Sequence, residues 1–137
     1  MKPDDKTIAD DVVLLRVLVG KDWHTPTPTG RRASSFAFVD TITGETSCYQ
    51  DTRERRAALA AQYPGYPVAQ FTAGQARAAN LLVASDPDGD PHGSPEHKVL
   101  SFVGSKTAYQ KACRALAISS TFIPDDEVAT DPDTLDQ

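Results

Sequence analysis

One charge stands inside the most apolar stretch of this 137-residue chain. Residues 12–19 read Val-Val-Leu-Leu-Arg-Val-Leu-Val, apolar on both parities, and Arg16 interrupts them. A guanidinium within a strand covered on both faces is costly unless it is paired or opens on a cleft. It can snorkel out near a strand end or sheet edge, or hold an anion through its fork of N–H donors. Any ligand site is therefore expected to include Arg16. Arg31 and Arg32, with Trp23 upstream, are further candidate binding residues. Nucleic acid needs a concentrated basic patch with interleaved aromatics. These clusters are short, and Arg53, Arg55 and Arg56 alternate with Asp51 and Glu54. Arg55 and Arg56 are expected on the wet side of a helix, and nucleic acid is not an expected partner.

The acids offer less. Asp86, Asp88 and Asp90 have the spacing of the first three calcium-loop ligands, but the sixth position is Pro91 and the twelfth is His97. A calcium loop needs Gly and a bidentate acid there. His92, Glu96 and His97 could supply zinc ligands, but Pro95 prevents a helix from aligning His92 with Glu96. No metal site is expected. A Ser–His–Asp site requires side chains in contact, which sequence order cannot test. The chain has no G-x-S-x-G, G-x-G-x-x-G or Walker loop, so no cofactor is expected from a glycine-rich cradle. Cys48 and Cys113 lie in no CxxC, and Cys113 falls on an apolar helix face as a core residue.

These residues need elements to hold them. Length fits one domain with a core of its own. Residues 12–19 read as a doubly covered strand. Residues 20–30 read as a loop punctuated by Pro26 and Pro28. Residues 33–39 (ASSFAFV) read as a strand with Phe36 and Phe38 on one face. After a turn around Gly44, that strand is expected to form a hairpin with a third at 46–50. Asp51 and Glu54 have capping-box spacing for a helix ending before Pro64-Gly65. Strands follow at 68–72, 81–84 and 98–103, with a helical turn at 74–80 and a loop at 85–95. The clearest helix spans 106–119, capped by Ser105, with Ala108, Tyr109, Ala112, Cys113, Leu116 and Ala117 on one face. The class is α+β: a single mixed or antiparallel sheet of five to six strands carrying two main helices.

Net charge is −5. Residues 1–11 hold −2 of it and residues 124–137 hold −6, which leaves +3 for residues 12–123. The domain is expected over 12–123, with a flexible acidic segment at 1–11 and a disordered acidic tail at 124–137. There is no apolar leader and no apolar run long enough to span a bilayer, so a cytoplasmic protein without membrane association is expected.

Five motifs in order carry a resemblance: Leu14-Leu15-Arg16, Ser34-Ser35-Phe36-Ala37-Phe38, Ser47-Cys48-Tyr49, Pro95-Glu96-His97-Lys98-Val99 and Ser105-Lys106. Over residues 12–120 the chain resembles a family of small bacterial hypothetical proteins. Cys48 replaces that family's usual aliphatic residue, and Gln50 its usual acid. The order Arg16, Gly30-Arg31, Tyr49, Glu54 and Pro95-x-His97 is also similar to that of RES-type NAD-consuming domains. That likeness implies Arg16 on a pyrophosphate, Tyr49 on nicotinamide and Glu54 stabilising an oxocarbenium-like transition state. The Gly-Gly-Arg-Trp core of those domains is absent. Two functions are therefore expected. The first is a non-enzymatic module binding a protein partner, as an accessory part of a bacterial conflict or defence operon. The alternative is a divergent enzyme acting on NAD through Arg16, Tyr49 and Glu54.

Overall fold

The computed structural model describes residues 3–20, 22–28, 30–40, 44–90 and 93–124. The acidic tail beyond Pro124, together with Pro91 and His92, lies outside the described residues. In chain order the elements are β1 (Val13–Val17), β2 (His24–Thr27), β3 (Gly30–Ala33), β4 (Thr46–Gln50), α1 (Arg53–Gln62), β5 (Val68–Thr72), α2 (Ala73–Ala78), β6 (Leu82–Ser85), a 3₁₀ turn at Pro87–Gly89, β7 (His97–Ser101), α3 (Lys106–Ser119) and β8 (Thr121–Phe122). Six strands form an antiparallel sheet in the order β6-β7-β4-β1-β5-β8, and β2 and β3 form a separate hairpin. The α+β class is as expected from the sequence. No described helix is long and apolar enough to cross a membrane.

Strand alternation divides the core between the two faces of the sheet. Leu14, Cys48, Ala69 and Phe71 face α2 and α3, joining Cys113 and Leu116 in the larger cluster. Leu15 and Val68 face the other way and pack with Leu59 of α1 and Ile123. The central strands β1 and β4 thus feed apolar side chains to both layers, as the double-parity run at 12–19 predicts. Phe38 and Phe71 meet edge-on, with ring centroids 5.2 Å apart. The helices start at side-chain caps. Ser105 Oγ accepts from Ala108 N–H at the start of α3. Thr72 and Gln75 form a reciprocal capping box at α2.

Several local expectations are corrected. Ala33 ends β3, and residues 34–39 are not a strand. Ser35–Phe38 form a helical-type turn, in which Ala37 N–H donates to Ser34 O and Val39 N–H to Phe36 O. Phe36 is therefore 62% exposed while Phe38 is buried, instead of sharing a face. The strand at 46–50 makes no hairpin with that segment and lies between β1 and β7. The expected loop at 20–30 contains β2, whose partner is β3. Pro26 is tolerated because this two-stranded hairpin stands outside the main sheet. The cap of α1 is Thr52, whose Oγ1 accepts from Arg55 N–H at 3.0 Å. Asp51 instead grips Arg56 with both carboxylate oxygens, at 2.7 and 2.9 Å. The capping box at Asp51 and Glu54 is therefore not formed.

Residues 3–11, within the segment expected to be flexible, are docked. Asp5 N–H donates to Val83 O, Val83 N–H donates to the Asp4 carboxylate, and Ile8 is buried in the larger core. Arg77 of α2 clamps it, reaching Asp4 at 3.1 Å, Asp10 at 2.7 Å and the Asp5 carbonyl at 2.9 Å. Burial acts to raise the Asp4 pKa, but the Val83 N–H and the Arg77 guanidinium outweigh it and hold the pKa below the usual value. A depressed folded pKa means the contact stabilises at neutral pH and is lost as pH falls below about 4. Arg77→Met is expected to destabilise by about 1 kcal/mol. It should also expose residues 3–11 to protease at pH 7, and the wild type should show the same cleavage only in acid.

Both cysteines are free and buried. Burial pushes the Cys48 thiol up to about 12 and Cys113 to about 11. A thiol held neutral reacts slowly. A thiol-disulfide reagent at pH 8 should titrate no cysteine in the native protein and two in denaturant.

Candidate functional site

The centre of the sheet opens. β1 registers against β4 only at Leu14–Gln50 and Leu15–Tyr49, while against β5 it pairs from Val13 through Val17. Beyond Leu15 the two central strands part, and β4 keeps its pairing with β7 alone. Arg16 supplies donors there. Its Nη1 donates to Ser47 O at 2.8 Å, and its Nε to Ala37 O of the Ser35–Phe38 turn at 2.7 Å. The guanidinium lies 4.9 Å from the Trp23 ring centroid, within cation–π range. Burial lowers its pKa from the ordinary value, and no described carboxylate forms an ion pair with it.

A cleft of about 260 Å³ lies at this parting. Arg16, Trp23, Ser47, Tyr49, Tyr63 and His97 supply its polar and aromatic wall, and Val17 and Leu59 its apolar one. Trp23 folds back over Gly20, where a Cβ would come within 2.5 Å of the indole. Any larger residue there would displace the ring. Nδ1 of His97 meets the Asp86 carbonyl, which can only accept, so this nitrogen carries the proton. In the neutral ring Nε2 is then an acceptor.

Beside the cleft a polar network fastens Tyr49. Its hydroxyl donates to Asp90 at 2.9 Å, and the other Asp90 oxygen accepts Ser94 N–H at 3.0 Å. Arg55 lies over the Tyr49 ring at 4.2 Å and donates to Ser94 Oγ, which in turn donates to Glu96. Glu96 also pairs with Arg55 at 3.7 Å. Arg55 Nε is buried without a partner. The side chain of Arg55 is only 12% exposed, not on the wet side of its helix. Leu59, four residues on, shares its face, and that spacing was the sequence signal.

Of the candidate residues, the structure brings Arg16, Trp23 and Tyr49 to one cleft. Glu54 is exposed on α1 and does not line it. Arg31 and Arg32 are exposed on the β2–β3 hairpin, away from that lining. Sequence reasoning missed Tyr63 and the place of His97. Asp90 serves Tyr49 and Ser94, and among the described residues no group of three or more His, Cys, Asp or Glu is placed to hold a metal ion. No Ser47–His97 hydrogen bond forms among the described contacts. No protein-family model matches the chain, and neither a curated protein nor a solved structure matches it.

Burial and the bond to Asp90 push the Tyr49 phenol up to about 12. A raised folded pKa contributes stability fully below the unfolded value near 10, and loses it as pH rises towards 12. Tyr49→Phe should flatten that alkaline decline in a pH series of thermal melts, while costing about 1–2 kcal/mol at pH 7. Arg16→Met removes the donor to the part-buried Ala37 O and to the more exposed Ser47 O, and should cost about 1–2 kcal/mol in denaturant unfolding. A loss below ~0.5 kcal/mol would contradict its role at the parting of the strands.

Proposed function

We propose that the protein is a non-enzymatic interaction module that captures a protein partner in a groove between the Ser35–Phe38 turn and α3. The observation that carries this reading is Phe36, 62% exposed above a groove of about 390 Å³ lined also by Val39, Lys111 and Arg114. The lining has two cations and no carboxylate. On α3, Thr107, Lys111, Arg114 and Ile118 follow one another at i+4, i+3 and i+4 and form one outer stripe. Ile118 is also largely exposed. An apolar floor under a basic rim suits a partner segment that carries carboxylates beside an apolar side chain. The setting is the bacterial cytoplasm, and neighbouring gene products in a conflict or defence operon are the first partners to test.

Phe36→Ser combined with Arg114→Glu should leave the melting temperature within a few degrees, because both side chains are exposed. The pair should weaken a co-purifying neighbour product at least tenfold in a titration. Full retention of that affinity would refute the groove as the binding surface.

The NAD-acting alternative gains support from Arg16 and Tyr49 in one cleft, but Glu54 stands apart from it. Turnover of NAD by the purified protein, abolished in Glu54→Gln, would favour it over the module.

A further inference from the structure

The cleft where β1 and β4 part has a composition the groove reading does not use. Arg16 spends two of its five N–H donors on the carbonyls of Ala37 and Ser47. Those two bonds and the Trp23 face fix the guanidinium without neutralising it, and no described carboxylate pairs with it. Asp40 acts on it only at longer range. A held cation of this kind, at the wall of a cleft, favours an anion with a planar acceptor edge, which a carboxylate presents. Trp23 lies against the guanidinium, and the rings of Tyr49 and Tyr63 line the same cleft from the α1 side, so the rest of the occupant is expected to be flat and apolar. His97 contributes a ring whose Nδ1 is fixed on Asp86, leaving Nε2 to accept in the neutral form. The volume, about 260 Å³, lies below the range of ~300–1,000 Å³ for drug-sized ligands. It suits a single-ring compound rather than a dinucleotide.

We propose that this cleft binds a small aromatic carboxylate, its carboxylate on Arg16, its ring among Trp23, Tyr49 and Tyr63, and a ring hydroxyl or N–H directed to His97. The proposal is independent of the groove on α3, which shares none of these residues.

Trp23 is the chain's one tryptophan, so the site contains its own fluorescent reporter. Wild-type protein would be titrated with 4-hydroxybenzoate, with its neutral counterpart 4-hydroxybenzamide, with cyclohexanecarboxylate, with inorganic phosphate and with NAD. A saturable change in Trp23 emission with 4-hydroxybenzoate is expected, with Kd at or below about 1 mM for so small a ligand. The amide and the saturated acid should each bind at least tenfold more weakly. Arg16→Lys keeps the charge but loses the fork, and should weaken binding at least tenfold. Tyr63→Ala alters a partly exposed ring and should weaken it several-fold in a protein whose circular dichroism is unchanged, which keeps the test valid if Arg16→Lys fails to fold. The proposal is overturned by the absence of saturable binding, by equal binding of the amide, or by affinity undiminished in folded Tyr63→Ala. Tighter binding of phosphate or NAD than of the aromatic acid would overturn it as well, by assigning the cation to a phosphate.

Discussion

The two central strands, β1 and β4, stop pairing after Leu15, and Arg16 bridges the place where they part. Leaving a buried acceptor unpaired costs about 1–3 kcal/mol. One guanidinium bonds two carbonyls, the part-buried Ala37 O on the Ser35–Phe38 turn and the more exposed Ser47 O on β4. Those bonds tie the turn against the sheet and so bring Phe38 into the larger core. They also set the plane on which Trp23 rests, with Gly20 leaving room for the indole. The cleft lies at this parting, and the turn is held in addition by Thr46 and Cys113, which both donate to Phe38 O.

The opposite wall of the cleft is held by charge as much as by apolar packing. Tyr49 is fixed at its hydroxyl by Asp90 and at its ring by Arg55 and His97. Asp90 and Ser94 flank the segment between the 3₁₀ turn and β7, and both are buried. A buried carboxylate persists when its oxygens are met by donors, and here a phenol and a backbone N–H meet them. Lys98 follows the same rule: burial lowers its pKa, while its Nζ donates to Pro95 O at 2.8 Å. Polar side chains thus fix Asp90, Ser94 and Tyr49, so this wall of the cleft is built rather than incidental.

The module reading and the cleft reading use different parts of one scaffold. α3 turns Tyr109, Cys113 and Leu116 to the sheet and presents Lys111, Arg114 and Ile118 outward. The cleft lies at the sheet's centre, away from that stripe. On the sheet side of α3, Tyr109 accepts Asp40 N–H at 2.9 Å while its ring packs near Phe102.

Sequence periodicity alone determined α3, the doubly covered strand at its centre, and the strands at 46–50 and 68–72. Each of those rests on a pattern that local geometry enforces: 3.6-residue spacing with a serine cap, or a β-branched run with no breaker. The same reasoning failed at residues 33–39. Phe-Ala-Phe alternates as a strand does, but distant donors hold it as a turn: Arg16 on Ala37 O, and Thr46 and Cys113 on Phe38 O. It failed again at Asp51, where Thr52 took the cap because Arg56 was near enough to take the carboxylate. The sequence marked Arg16 as the charge that needed explaining, since its cost in an apolar strand depends only on its neighbours in the chain. The tertiary structure decided that carbonyls and an indole answer that cost, because those groups reach Arg16 only once distant segments have folded around it.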